Sequence, residues 1–462
     1  MKRSIRDINR EILGLAIPSI LANLTVPLVG MVDIAVAGHL SSSAATLIGG
    51  ITVGSTLFDL LYWNFAFLRA GTGGLTAQAY GRGDRRYCAD MLSRSMCLAF
   101  EISIALLLIQ WFFIQAAFLF IDCTPEVRRL AQQYFYIRIW AAPATLSLMA
   151  LKGWFIGMQD SISSMATDLV VNGVNIASSI VLSLGIGSWE GLGYPGVALG
   201  TVVAQYSGLL TALGIIAVKY RSTFTGYSLS HVRSALHSGE TRQFMKMNGD
   251  LVVRSVCFIV IYIGYTLISA RYGDVLLASA AIMMKLLMLF SYFTDGFAYA
   301  GEAMTGRYIG ARDLELTRQS ISWAFIWSVS ISLVSVVIYY FLGVEMVSIL
   351  TSDPVVVETC SQFVIWLVLM PLFGVICFTW DGIYVGATAS RLIRNAMIWS
   401  VVAFTTVWLT GLPLLKKAGA DTGTNCIHLL LAAYFAHLAA RSIYQTVKFG
   451  RTGQNVIYKQ HE

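Results

Sequence analysis

Asp33 is the first residue whose type and position suggest chemistry. It lies in the apolar stretch Leu13–Leu40, which can cross a bilayer because about 20 apolar residues suffice. A carboxylate is costly in hydrocarbon unless it is paired, hydrated or protonated. Pro27 precedes Asp33 in this stretch, and a proline permits a helix to bend because it removes a hydrogen bond. We expect Asp33 to exchange a proton or cation on a helix that bends at Pro27; the alternative is a hydrated acid near the helix end.

A second set of charged residues lies in apolar segments of the carboxy-terminal half. It consists of Arg254, Lys285, Asp295 and Asp381. A pair between Arg254 and either Asp295 or Asp381 would reduce the cost of removing their charges from water. The four residues predict a substrate or coupling site in this half. A static charge network that holds the helices together is the alternative, and the sequence leaves both open.

Motifs of enzyme active sites and metal sites are missing from the sequence. It contains no GxxxxGK[ST] phosphate loop, no HExxH and no GxSxG elbow. Its seven cysteines are scattered without a CxxC pair, which predicts neither a disulfide framework nor a metal site. We therefore expect a protein that is not an enzyme and holds no metal or cofactor.

The elements that must position these residues are membrane-spanning helices. The chain is 56% hydrophobic and 12% charged, whereas soluble domains carry about 25% charged residues. Apolar segments recur along the whole chain. They predict twelve spans at 12–36, 46–72, 92–118, 132–157, 165–187, 195–217, 247–269, 276–304, 319–343, 361–385, 393–415 and 425–447. The net charge of +7 comes from basic residues in the loops, where such residues orient a membrane protein. We therefore expect a lipid bilayer and no nucleic acid as partner.

The loops predict how the chain is oriented. Cationic loops alternate with acidic ones; Arg82, Arg85 and Arg86 follow the second span, and Arg233 and Arg242 lie in the longest loop. Short loops rich in Lys and Arg stay on the cytoplasmic side. We therefore expect a multi-pass protein of the plasma membrane (the inner membrane if the source is bacterial) with both termini in the cytoplasm.

The sequence also repeats itself at a constant offset. Gly81 matches Gly310 and Gly157 matches Gly386, because 310 − 81 and 386 − 157 both equal 229. Each half holds six spans, so both halves enter the membrane from the same side as parallel repeats around a central cleft. We predict an all-α polytopic membrane protein with an amino-terminal six-helix lobe at 1–218, a cytoplasmic linker at 219–246 and a carboxy-terminal six-helix lobe at 247–462.

Several motifs carry a resemblance to a known family. They are LAIP with VDIAVAGHL in the first span, the loop GRGD, GFAYAGEAMTGRYIGARD in the eighth span and WDGIYVGAT in the tenth. They resemble the multidrug and toxic compound extrusion (MATE) transporters, most of all the DNA-damage-inducible (DinF) branch. The resemblance covers nearly the whole chain. It implies a two-lobed, V-shaped exporter driven by an inward flow of protons or sodium ions.

The resemblance also implies a cation site in the amino-terminal lobe. Its first-span acid falls on Asp33, its fifth-span asparagine on Asn175 and its sixth-span threonine on Thr201. Many relatives carry a second acid one turn after that asparagine, where this chain has Ser179. One carboxylate among neutral oxygens favours H⁺ over Na⁺ as the coupling ion; Na⁺ held by neutral oxygen ligands is the alternative. Hydrogen bonding between helices is the alternative role for the three neutral residues.

We therefore interpret the chain as a cation-coupled antiporter that exports organic compounds, cationic or amphipathic, by alternating access. Its expected partners are a small-molecule substrate and the lipid bilayer, and we expect a monomer. The alternative from another class is a flippase for lipid-linked oligosaccharides or polysaccharides. Such flippases usually line their cleft with several cations, whereas the ionisable residues in these spans are mixed and mostly acidic.

Overall fold

The computed structural model describes residues 5–40, 44–119, 121, 123–351 and 353–458. These residues form sixteen α-helices, two short 3-10 turns and no β-sheet. The helices are α1 Ile5–Leu40, α2 Ala44–Trp63, α3 Phe67–Arg82, α4 Arg85–Ala117, α5 Pro125–Arg138, α6 Ala142–Gly157, α7 Ser161–Leu184, α8 Tyr194–Lys219, α9 Leu229–His237, α10 Gly239–Ser269, α11 Asp274–Gly310, α12 Leu314–Leu350, α13 Pro354–Ser361, α14 Val364–Gly386, α15 Ser390–Lys417 and α16 Gly423–Tyr458.

Twelve helical stretches in the described part of the chain are long and apolar enough to cross a membrane. They correspond one to one with the predicted spans, so the all-α polytopic class is confirmed. Several helices are longer than predicted; the span predicted at 319–343 lies in α12, Leu314–Leu350. The reason is that hydropathy marks only the hydrocarbon-embedded part of a helix, whereas the helix itself continues into the headgroup region.

The span formed by α5 and α6 is interrupted by a short turn. Helices α5 and α6 are joined by the 3-10 turn Ile139–Ala141, directly after Arg138. Pro143 lies in the first turn of α6 and has no N–H to donate to the carbonyl four residues earlier, that of Ile139. The regular hydrogen-bond pattern therefore cannot continue, and Arg138 lies at the carboxyl end of α5.

The helices pack into two compact units. Leu21–Met245 form one, hereafter the amino unit, and Met1–Ile20 with Lys246–Glu462 form the other, the carboxy unit. The first half of α1 thus packs with the carboxy unit, and residues 219–245 pack with the amino unit. These bounds follow packing within the chain, whereas the predicted lobes and linker follow the expected membrane topology, so the predicted lobe boundaries stay a prediction.

The repeat is visible in the backbone of the two units. Gly83 and Arg312, which are 229 residues apart, both adopt left-handed conformations, with φ of 75° and 58°. The next residues, Asp84 and Asp313, cap α4 and α12. Each carboxylate accepts a hydrogen bond of 2.9 Å from the backbone N–H three residues later. The same turn chemistry therefore occurs at the same place in both halves.

The closest helix crossing is repeated as well. A Cβ atom at Gly153 would overlap the carbonyl oxygen of Arg69, and one at Gly382 would overlap that of Ala298. The two glycines and the two carbonyl residues are each related by the offset of 229. In both units, α6 against α3 and α14 against α11 approach so closely that only glycine fits. The predicted duplication therefore describes the packing of the helices and not only the sequence.

Candidate functional site

The amino unit contains a buried polar cluster around Asp33. The Oγ atom of Ser179 donates a hydrogen bond of 3.0 Å to Oδ1 of Asp33. Nδ2 of Asn175 donates one of 3.1 Å to Oγ1 of Thr201, and 3.5 Å separates Ser179 Oγ from Asn175 Oδ1. None of these four side chains is more than 6% exposed. The structure thus brings together the four residues that the sequence analysis selected for this half.

Helix geometry explains how the cluster is assembled. Asn175 and Ser179 are four residues apart on α7, so they lie on one face of the helix. Gly200 precedes Thr201 on α8, and a Cβ atom there would come within 2.7 Å of the backbone nitrogen of Ser179. The absence of a side chain at Gly200 therefore lets α8 approach α7 closely enough for the hydrogen bond between Asn175 and Thr201.

Pro27, the predicted bending point, lies inside the continuous helix α1 between Ile5 and Leu40. Its ring is exposed on the surface of the chain. Two residues earlier, Thr25 accepts a hydrogen bond of 2.5 Å from Nδ2 of Asn172 on α7. The second half of α1 is therefore attached to α7 on both sides of Pro27, at Thr25 and at Asp33.

Arg138 is a charged neighbour that sequence reasoning missed. Its Nη1 atom donates hydrogen bonds of 3.0 Å to the hydroxyl of Tyr134 and 3.4 Å to Oγ of Ser55. Its guanidinium carbon lies 4.8 Å from the centre of the Phe58 ring. Asp33 and Asp59 both interact electrostatically with it. An arginine inside a predicted span was the available signal, since such residues are rare and mark functional or paired positions.

The carboxy unit contains a second polar cluster, centred on Asp381 of α14. Arg441 of α16 pairs with this carboxylate through Nη2 and donates from Nε at 3.3 Å. Nε2 of Gln445 donates a bond of 2.8 Å to Oδ1, and Nη2 of Arg254 lies 3.1 Å from Oδ2. The predicted contact between Arg254 and Asp381 is therefore present. Arg441 and Gln445 were not foreseen, although Arg441 lies inside the last predicted span.

The other two residues predicted for this half occupy different surroundings. Asp295 of α11 is partly buried and interacts electrostatically with Arg441. Lys285, ten residues earlier on α11, is exposed, and among the described residues it is not one of those that bond to Asp381. The structure therefore joins Arg254, Asp295 and Asp381 around Arg441 and leaves Lys285 apart.

The two units differ in what they place at equivalent positions. Adding 229 to the four cluster residues of the amino unit gives Tyr262, Phe404, Trp408 and Leu430. Phe404 and Leu430 belong to the apolar core of the carboxy unit, and Tyr262 and Trp408 pack against it. The duplicated position is thus a polar cluster in the amino unit and part of a hydrophobic core in the carboxy unit.

Outside the spans, Asp160 joins the start of α7 to the end of α8. Its carboxylate accepts hydrogen bonds from Lys219 at 2.7 Å, from the Tyr220 hydroxyl at 2.6 Å and from Ser163 Oγ at 2.5 Å. Burial alone would raise the pKa of Asp160, but these hydrogen bonds outweigh burial and hold the pKa below its ordinary value. Burial and the bond to Asp160 raise the pKa of the Tyr220 phenol.

A buried arginine attaches the segment after α8 to the amino unit. Arg94 of α4 is 2% exposed. Its Nε atom donates a bond of 3.0 Å to the carbonyl of Ala235, and Nη2 donates to Ser238 at 2.7 Å and to Glu240 at 2.9 Å. These contacts explain why the predicted linker packs with the amino unit.

Among the described residues, no three His, Cys, Asp or Glu side chains form a group that could hold a metal ion.

A duplicated bundle of twelve membrane-spanning helices with charged clusters inside its spans defines a polytopic membrane transporter. The family model described as MatE matches residues 18–181 and 251–442. The chain belongs to the MatE family, which confirms the resemblance seen in its motifs. The family and the fold are those of transporters that act on small molecules within a membrane, not those of enzymes.

Two relatives illustrate the range of similarity. The chain is 33% identical to DNA damage-inducible protein F of Escherichia coli (strain K12) over 426 residues, 91% of this chain and 88% of that protein. It is 23% identical to multidrug and toxin extrusion protein 1 of Homo sapiens over 426 residues, 89% of this chain and 69% of that protein. The DinF branch named in the resemblance is thereby confirmed, and no finding supports the flippase alternative.

Solved structures of transporters have the same fold as this chain. A crystal structure of a eukaryotic MATE transporter matches with a TM-score of 0.84 at 13% identity, covering 99% of this chain and 98% of that chain. A transporter of the MOP superfamily from Pyrococcus furiosus matches with a TM-score of 0.79 at 17% identity, covering 98% and 97%. At these identities the likeness concerns the fold alone.

Proposed function

We propose that this protein is a cation-coupled antiporter that exports organic compounds, cationic or amphipathic, by alternating access, with the proton as its coupling ion. The observation that carries the proposal is Asp33, a buried acid whose hydrogen-bond partner is the neutral Ser179 at 3.0 Å. A buried acid with neutral partners can exist charged or protonated, and each form prefers a different packing around it. The names of the relatives as extrusion proteins support export as the direction of transport.

Coupling follows from what protonation does to the contacts of Asp33. Ionised Asp33 accepts hydrogen bonds, including the one from Ser179. A proton taken from the outside removes the charge, so the acid no longer needs those donors and α1 can repack against α7. Pro27 lowers the cost of that repacking because it removes one backbone hydrogen bond from α1. A proton shifts the two arrangements only by its difference in affinity for them.

The carboxy-unit cluster offers a candidate for substrate contact. Asp381 accepts bonds from three donors, and Arg441 is nearly buried, so these two residues serve mainly to hold α14 and α16 together. The side chain of Arg254 is 28% exposed, and Lys285 is exposed on α11. We propose Arg254, Lys285 and Asp295 as the members of this set that meet a substrate.

The test is transport in proteoliposomes with separately imposed proton and sodium gradients. Efflux of ethidium, a fluorescent organic cation, should follow a proton gradient and not a sodium gradient. Asp33→Asn should fold and should abolish the proton-driven flux, because asparagine cannot take up the proton. Glu101→Gln makes the same acid-to-amide change at an exposed position of α4, so it serves as the matched variant and should keep the flux. Proton-driven export that persists in Asp33→Asn would disprove the proposed coupling.

We also propose that both termini lie in the cytoplasm of a cell whose plasma membrane holds the protein as a monomer. The loop charges support this orientation. A cysteine introduced at Arg233 should react with an impermeant thiol reagent only after the membrane is opened, and one at Glu190 should react on intact cells. Labelling of both positions from the same side would contradict the topology.

A further inference from the structure

A groove runs between α15 and α16 on the surface of the carboxy unit, with a volume of about 480 Å³. Ser400 of α15 donates a hydrogen bond of 3.1 Å to the carbonyl of His437 on α16, so the two helices are in direct contact at this level. Ala403 and Ala440 line the groove. Their short side chains leave the space between the helices open, which explains why a groove forms here.

The side chains that border the groove are apolar and exposed, as they are for Trp399, Val402 and Ile443. Helix α15 is the least buried of the twelve candidate spans in the described part of the chain, with 11% of its apolar stretch buried. Exposed apolar side chains on a membrane-spanning helix face hydrocarbon and not water. An acyl chain of the bilayer is therefore the expected occupant of the groove.

A cation marks one end of the groove. Lys448 lines it, and the Nζ atom lies 5.8 Å from the centre of the Tyr444 ring on the same helix. Helices α15 and α16 are joined by the short segment 418–422 and run in opposite directions, so Trp399 and Lys448 lie towards the same side of the membrane. Lysine, tyrosine and tryptophan at the end of a span are typical of the boundary between hydrocarbon and headgroups. From Lys448 to Ala440 the groove extends about 12 Å along α16 into the hydrocarbon.

The charge at this end of the groove is positive. No acidic side chain occurs among the described residues that line it. Arg391, in the first turn of α15, is exposed. It precedes Val402 by eleven residues, about three turns, so the two residues lie on the same face of α15. A second cation therefore lies beyond the end of the groove, and charge complementarity favours an anionic headgroup.

We propose that the groove between α15 and α16 binds an anionic phospholipid of the bilayer. The acyl chain lies along Val402 and Ile443, and the phosphate meets Lys448. Arg391 attracts the outer part of the headgroup. A lipid in this position contacts both helices and binds only the folded protein, so it raises the unfolding temperature. Under the proposed orientation, the lipid belongs to the cytoplasmic leaflet, where α15 begins and α16 ends.

The experiment titrates the purified full-length protein in detergent with dioleoylphosphatidylglycerol, which is anionic, and in parallel with dioleoylphosphatidylcholine, which has the same chains and no net charge. The unfolding temperature of the wild type should show a saturable rise with the anionic lipid only. Lys448→Met should raise the half-saturating concentration of that lipid by about fivefold, the contribution of one cation near a membrane surface. Lys448→Arg should keep the wild-type value. Lys416→Met, which removes an exposed lysine at the other end of α15, is the matched control.

A second variant tests the groove itself. Ala403→Phe fills it with a bulky side chain and should abolish the response to the anionic lipid. If Ala403→Phe does not fold, Lys448→Glu leaves the groove open and reverses the charge, so it should weaken binding more than Lys448→Met does.

Three outcomes would overturn the inference. The first is an equal response of the wild type to both lipids, or an unchanged response in Lys448→Met and Lys448→Glu. The second is a rise of the same size with inorganic phosphate, which would show that the anion alone binds. The third is a wild-type dimer that Ala403→Phe converts to a monomer, because a second copy of the chain would then cover the groove.

Discussion

Ser179 donates to Asp33 the hydrogen bond that connects α7 to α1, with 3.0 Å between the two oxygens. Asp33 lies in the second half of α1, which packs with the amino unit, and Ser179 is completely buried. A neutral donor therefore faces the acid at this contact. The position equivalent to Ser179 in the carboxy unit is Trp408, so the contact exists in only one of the two repeats.

Ser179→Ala should destabilise the amino unit, because a buried hydrogen bond to a charged group contributes about 1.5–3 kcal/mol. Ser178→Ala is the matched control, since the Oγ atom of Ser178 donates to backbone carbonyls of Val174 and Gly200 and not to Asp33. Thermal unfolding in detergent compares the two variants. Equal losses of stability in both variants would show that the hydrogen bond to Asp33 contributes no more than one to a backbone carbonyl.

Arg441→Met should be among the most damaging single changes in the carboxy unit. The side chain of Arg441 is 4% exposed and that of Asp381 is 11% exposed. Removing Arg441 leaves the buried acid with only the partly exposed Arg254 as a cationic partner, and the loss of a buried charge partner costs up to about 3–5 kcal/mol. Arg254→Met should cost less, because Arg254 is partly exposed and Arg441 still pairs with Asp381. Unfolding midpoints give the order, which would be reversed if Arg254 were the main partner.

A double variant checks the reason for that loss. Arg441→Met with Asp381→Asn removes both charges and should regain most of the lost stability, because the one charge that loses a partner, on Arg254, is partly exposed. A double variant that is as unstable as Arg441→Met alone would show that packing around Arg441, for example against Phe378 at 5.9 Å, accounts for the cost.

Asp160 should make stability depend on pH in the acid range. Burial opposes its ionisation, but the hydrogen bonds from Lys219, Ser163 and Tyr220 hold the pKa of the folded state below its ordinary value. The stabilisation is thus fully present above the unfolded pKa of about 3.9 and is lost as pH falls through the lower, folded pKa. Asp160→Asn should unfold at a lower temperature than the wild type at pH 7, and the difference should shrink in acid. A difference in unfolding temperature that stays constant down to the lowest pH would contradict the prediction. Glu190→Gln, the same acid-to-amide change at an exposed position, is the control.

Arg94→Ala should release the segment between α8 and α10 from the amino unit. It removes the bonds to Ala235, Ser238 and Glu240. All three come from the charged guanidinium of Arg94, and a hydrogen bond that involves a charged group contributes about 1.5–3 kcal/mol. Limited proteolysis within 221–241 should accelerate by roughly tenfold or more, since cleavage follows the population of the open form. Arg86→Ala, an exposed residue at the start of the same helix, should leave the rate unchanged. Unaltered cleavage in Arg94→Ala would mean that other contacts hold the segment.

The sequence by itself determined the number of spans, the duplication and the family. Each of these depends on local properties: an apolar segment is a helix in a bilayer because its backbone groups must bond to one another. The repeated turns at Gly83 and Arg312 are local as well, since the capping aspartates follow them directly. The amino cluster around Asp33 was also found, because the motifs of a known family marked its residues.

The tertiary structure decided which charged residues face each other. Asp381 pairs with Arg441 across 60 positions of the chain, and Arg138 of α5 comes to interact with Asp33 of α1. Such pairs depend on the rotation of each helix about its axis and on its position along the membrane normal. Packing against neighbouring helices determines both, and the hydropathy of the sequence predicts neither. Lys285 is the opposite case. Its position in an apolar segment placed it in the predicted charged set, whereas the structure exposes it on the surface of α11.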